Sequence, residues 1–171
     1  MRRIIFPICA MIMILSACSE SQDEQSVQNP ELISIDAEEL SAVVSEKRSD
    51  DSKALLINVW ATWCGPCVEE FPIITGLAEK HEEDLDVMFI SGDFPKDTAR
   101  VKTFLEKQGV DWDTYLKAGS EFTFIEALHS EWSGALPFTV IYNKQGEEVA
   151  NWENKADSVI FDSYINKAIT Q

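Results

Sequence analysis

Two cysteines spaced two residues apart, in Trp63-Cys64-Gly65-Pro66-Cys67, are the residues of this sequence best placed for chemistry. Ala54 to Ala61 before them is a short apolar run of branched and aromatic residues, the profile of a strand buried on both faces. Pro66 to Lys80 after them has Phe71, Ile74, Leu77 and Ala78 at helical, core-facing spacing. That order puts Cys64 at a helix N-terminus, where unpaired N–H groups and the helix dipole favour an anion. A thiol so placed has a lowered pKa and acts as a nucleophile. Cys67, one turn further on the same face, can attack a mixed disulfide formed at Cys64. Pro66 suits the first turn, where a missing N–H costs little. Two blander roles compete: an inert buried disulfide, and half of a zinc site. Zinc takes four ligands, only these two thiols remain in the folded part, and His81 and His129 read as surface or cap residues, so no metal is expected.

The elements that must hold this pair alternate. Asp36-Ala37-Glu38-Glu39 forms a capping box opening a helix to about Lys47. Leu85–Ser91 reads as a second buried strand, and 97–108 as a helix with Val101, Phe104 and Leu105 inward, stopped by Gly109. A short strand at 112–116 and a helix at 121–128 come next. Phe138–Tyr142 and 147–151 form a hairpin about Asn143-Lys144-Gln145-Gly146, and a helix over 157–169 ends the chain. Strand–helix alternation followed by an antiparallel pair predicts an α/β fold, a mixed sheet with helices on both faces. Trp112, Trp132 and Trp152 read as packing residues.

The chain has 171 residues, with 14 Lys+Arg against 30 Asp+Glu and a net charge of −16. Such a surplus of acid argues against nucleic acid and against loose docking on anionic lipid. Arg2 and Arg3 precede an uncharged run, Ile4 to Leu15, that is shorter than the ~20 residues needed to cross a membrane. Residues 1–17 therefore read as a signal peptide. Leu15-Ser16-Ala17-Cys18 resembles the lipobox of bacterial lipoproteins, which implies that Cys18 becomes a lipidated N-terminus at a bacterial membrane, outside the cytoplasm. Residues 18–31, with Val27 and Cys18 their only apolar members, read as a lipidated flexible tether, and 32–171 as one folded domain.

Ile57 to Cys67 is similar to the active-site strand and turn of the thioredoxin superfamily, and Gly134-Ala135-Leu136-Pro137-Phe138-Thr139 resembles its cis-proline segment. With the lipobox, the chain resembles the TlpA/ResA-type thiol–disulfide oxidoreductases. The resemblance implies a thioredoxin-like fold with a βα insertion before the cis-proline hairpin, a redox disulfide between Cys64 and Cys67, and no cofactor. It implies a monomer whose partners are client proteins carrying disulfides and a membrane electron donor that resets the pair. Trp63, Leu136 and Pro137 would contact the client, although Leu136 departs from the Thr, Val or Ile expected there, and a trans proline opening a strand is the blander alternative. Asn58 takes the place of the buried Asp of thioredoxins, and Glu70 would replace it as proton acceptor for Cys67. A charge there would also raise nearby thiol pKa values. A solvated first-turn acid is the alternative for Glu70 and the expectation for Glu69, and Pro72 should kink the helix. Gly-Pro between the cysteines favours reduction of client disulfides, because thioredoxin, with that dipeptide, lies near about −270 mV and DsbA near about −120 mV. Disulfide oxidation or isomerisation is the alternative; a thiol peroxidase or a copper-handling lipoprotein ranks below it.

Overall fold

Seven consecutive residues buried on both faces, Ala54–Trp60, form the centre of the molecule. The computed structural model describes residues 30–171; the signal segment, Cys18 and nearly all of the tether lie outside the described residues. The elements in order are β1 (Leu32–Ile35), α1 (Ala37–Ser49), β2 (Ala54–Trp60), α2 (Gly65–Lys80), β3 (Leu85–Ser91), α3 (Thr98–Lys107), β4 (Thr114–Lys117), α4 (Glu121–Leu128), β5 (Phe138–Tyr142), β6 (Glu148–Glu153) and α5 (Ser158–Thr170). The six strands lie in the order β1-β4-β3-β2-β5-β6. Strands β1 to β4 run parallel, and β5 and β6 add an antiparallel pair beside β2. This is the expected thioredoxin-like mixed sheet, with the β4–α4 unit inserted before the hairpin.

Local chemistry accounts for the ends of several elements. The Asp36 carboxylate accepts from the N–H groups of Glu38 and Glu39, and Glu39 reaches back to the Asp36 N–H, completing the capping box. Gly109, at φ +72°, ends the turn after α3 in the left-handed region. Gly146 at the hairpin turn has φ +73°, and a side chain there would strike the Arg48 carbonyl. Arg48 in turn donates to the Gly146 carbonyl at 2.9 and 2.7 Å and lies over the Tyr142 ring, locking α1 to the hairpin.

Several boundaries differ from the sequence expectation, and three have a clear physical cause. The first is β1, which four residues next to a polar tether do not announce; it exists because it pairs in parallel with β4, some eighty residues away. That pairing also moves β4 two residues beyond the expected start, since Glu31 donates to Asp113 and accepts from the Thr114 N–H. A short 3-10 turn, Pro95–Asp97, precedes α3, so the α-helix starts at Thr98. Helix α2 runs continuously through the exposed Pro72.

Strand alternation sorts the core into two layers. Leu55, Ile57 and Val59 face α1 and α4, where Leu40, Val44, Phe124 and Leu128 complete the layer. Leu56 and Trp60 face α2, α3 and α5, joined by Phe71, Ile74, Phe89, Val101 and Phe161. Trp112 stacks on Phe89, Trp132 on Phe138, and Trp152 packs against Phe161 and Tyr164, so the three read as packing residues do pack. No helix of the described residues is long and apolar enough to cross a membrane.

Candidate active site

The C-terminal end of β2 delivers Ala61-Thr62-Trp63 to the start of α2, with Cys64 as the N-cap. Cys64 and Cys67 form a disulfide, their Cα atoms 5.3 Å apart. The Cys67 N–H donates to Cys64 Sγ at 3.3 Å, so a helix-terminal donor faces the first sulfur. Cys64 is 6% exposed and Cys67 1%, whereas Trp63 beside them is 59% exposed. Of the two cysteines, the one at the helix mouth is the less buried.

Behind the pair lies a buried polar trio, Glu70, Asn58 and Thr139, each at most 1% exposed. Asn58 on β2 pairs in register with Thr139 on β5, and both lie on the face that α2 covers. The Asn58 amide donates to Glu70 Oε1 and to Thr139 Oγ1, each at 3.0 Å. The Ala156 N–H, from the loop before α5, donates to Glu70 Oε2 at 3.1 Å. Burial pushes the Glu70 carboxyl up to about 7, outweighing the two donors and the Lys155 charge that pull it down. Glu70 is therefore a buried carboxyl poised near neutrality, not a solvated first-turn acid. Glu69 is that acid, exposed and paired with Lys155 at 2.6 Å.

The peptide bond Leu136–Pro137 is cis. Phe138, next in the chain, pairs with Val59, so the segment runs alongside the end of β2 that leads to Cys64. Trp132 Nε1 donates to the Ala135 carbonyl at 2.9 Å and steadies the approach to this segment.

Sequence reasoning missed Asp93. This carboxylate, 2% exposed, follows β3 and accepts from the Thr62 N–H at 2.8 Å, from the Thr62 and Ser91 hydroxyls, and from Arg100 at 3.0 Å. Desolvation opposes its charge, but these donors together hold its pKa below the ordinary value. It clasps the turn carrying Trp63 and Cys64 to the β3–α3 loop. A signal was present: an acid just past the C-terminal end of a buried parallel strand, the end where α/β sheets build their sites. Thr139 was missed too; a lone threonine among aromatic and aliphatic residues in the strand Phe138 to Tyr142 marked it. His81 caps α2 and His129 pairs with Glu148, and the described residues contain no cluster of metal-ligating side chains.

Comparison with known proteins agrees with this geometry. A family model described as Redoxin matches residues 25–159. The chain is 22% identical over 172 residues to the thiol-disulfide oxidoreductase ResA of Bacillus thuringiensis (strain Al Hakam), covering 96% of each chain. Its fold is similar to a thiol:disulfide interchange protein of the thioredoxin family from Chlorobium tepidum TLS, with a TM-score of 0.59 and 19% identity over 73% of this chain and 84% of that one. It is also similar to a secreted thiol-disulfide isomerase from Corynebacterium glutamicum, with a TM-score of 0.57 and 19% identity over 70% of this chain and 72% of that one.

Proposed function

We infer the function from family and geometry together: the chain belongs to the Redoxin family, and it is a thiol–disulfide oxidoreductase that works through Cys64 and Cys67 and reduces disulfides of client proteins. The observation that carries the reading is the joining of a helix-capping sulfur, in the less buried of the two cysteines, to a second sulfur followed one turn along the helix by a buried carboxyl. In the reduced enzyme the Cys64 thiolate attacks one client sulfur, forming a Cys64–client bond while the other client sulfur leaves as a thiolate. Cys67 gives its proton to Glu70 and attacks Cys64 Sγ, releasing the second client thiol. The client gains two electrons and the enzyme is left with its own disulfide. A membrane dithiol donor then returns two electrons. Glu70 serves because a carboxyl titrating near neutrality can both accept and release a proton at working pH. Leu136 would pair its backbone with the client segment, with Pro137 shaping that edge and Trp63 covering the reacting sulfurs.

The protein would act outside the cytoplasm, held by lipid on Cys18 after removal of residues 1–17, with 18–31 as tether and 32–171 as the working domain. Trapping tests the roles: Cys67→Ser should accumulate clients as mixed disulfides on non-reducing gels, and Cys64→Ser should accumulate far fewer. Equal trapping would overturn the assignment. The alternative is oxidation, with electrons flowing the other way, or isomerisation, with no net transfer, and the secreted isomerase of similar fold favours it. A potential above about −150 mV would select it, and one near about −270 mV selects reduction.

A further inference from the structure

Two loops that a single buried carboxylate ties together each present an exposed aromatic ring, and one of these rings, Trp63, directly precedes Cys64. Asp93 binds the Thr62 N–H at 2.8 Å, and the residues one step beyond each end of this clasp, Trp63 and Phe94, are 59% and 62% exposed. Thr62 lies two residues from Cys64, about 7 Å of extended chain. The same β3–α3 loop touches the cis-proline segment. Leu136 Cδ1 lies 3.6 Å from where a side-chain carbon on Gly92 would stand, and the Gly92 N–H donates to the Trp60 carbonyl at 2.7 Å. Gly92 to Phe94 thus touches both the strand end and turn that lead to Cys64 and the Leu136 edge. Lys96 Nζ sits over the Phe94 ring, 5.5 Å from its centre.

We propose that Phe94 is a specificity-determining residue, forming with Trp63 a cradle for an aromatic or large apolar side chain two residues from the client's reactive cysteine. This rests on the reading that Cys64 attacks client disulfides. The occupant is an extended client segment, because Cys64 is so little exposed that a client sulfur reaches it only with its own chain laid across the turn. The side chain two residues along that segment, about 6.6 Å away and on the same face as the cysteine, then falls over one of the two rings.

The test uses the full chain, reduced beforehand and freed of reductant, in single turnover. The probes are Phe-Gly-Cys and Ser-Gly-Cys peptides, each joined to thionitrobenzoate by a disulfide. Attack on the peptide sulfur releases coloured thionitrobenzoate and forms a Cys64–peptide bond; Cys67 then displaces the peptide thiol and closes the enzyme disulfide. The wild-type chain should favour the Phe probe by about fivefold, as expected for one aromatic contact. Phe94→Ala should erase that preference while its rate on the Ser probe stays within about twofold, since the exposed ring supports no core. Phe94→Leu should restore part of the preference. An unchanged preference in Phe94→Ala, or no preference in the wild type, overturns this inference alone. No release from either probe by the wild-type chain overturns the thiol–disulfide reading itself.

Discussion

The two faces of the central sheet are built from the same strands and filled differently. Toward α1 and α4, β2 and β5 present Leu55, Ile57, Val59, Phe138, Val140 and Tyr142, all hydrophobic residues packed in one layer. Toward α2 and α5 the same strands interpose Asn58 and Thr139 among Leu56, Trp60 and Ile141, and α2 adds Glu70. Burying such groups is unfavourable unless every polar atom is paired, and here Asn58 Oδ1 has no partner. One layer is spent on stability and the other gives some up, and the loss is confined to the ground behind the reactive sulfurs. A carboxyl tuned by burial requires that sacrifice.

Truncation in the apolar layer should produce the largest loss of stability and carry no chemistry. Phe124 is fully buried, so Phe124→Ala should cost about 4 kcal/mol through lost contacts and a residual cavity. Urea denaturation of the oxidised protein should return the same loss at pH 5 and pH 8. A loss that changes with pH would mean that the two layers do not act separately.

In the polar layer the effect should be smaller and tied to pH. Glu70 is raised in the folded protein, so the folded state holds its proton more tightly than the unfolded chain does. The stability this confers is present below about pH 4.5 and is lost as pH climbs through about 7. Between pH 5 and 8 the oxidised wild-type protein should lose on the order of 2 kcal/mol, and Glu70→Gln should remove that slope. Asp93 and Glu148 have lowered pKa values, and their contribution, lost as pH falls, is already complete by pH 5. A slope that persists in Glu70→Gln would place its source elsewhere.

The same division governs what the sequence could reveal. The cysteine pair, the capping box and the helix and strand cores are written in short spacings, and local pattern was enough to find them. The Gly134 to Thr139 run is equally local, and its resemblance led to the cis peptide. What escaped depends on partners far along the chain. Strand β1 exists by pairing with β4, and Asp93 matters because its loop meets Thr62, thirty-one residues earlier in sequence. Glu70 was named from its place on the helix and from resemblance. The Ala156 N–H that holds its second oxygen comes from eighty-six residues away, and no spacing rule reaches that far.

The smallest effect offers the finest test of whether the polar layer behaves as one unit. Thr139→Val keeps the shape of the side chain but removes the oxygen that accepts from the Asn58 amide at 3.0 Å. One buried hydrogen bond is lost while Asn58 keeps its bond to Glu70, so the cost at pH 5 should be about 1 kcal/mol with the pH slope retained. Combining it with Glu70→Gln raises the stakes. The introduced carboxamide must accept from Ala156 and donate toward Asn58, so Asn58 has to turn its unpaired oxygen to meet it. Thr139 must then donate where it formerly accepted, which a hydroxyl can do and a methyl group cannot. The double variant should therefore be less stable than the single effects predict, by at least about 0.5 kcal/mol in a double-mutant cycle. Strict additivity would mean that Asn58 holds a fixed orientation whatever Glu70 carries, and that the three residues are neighbours without being a network.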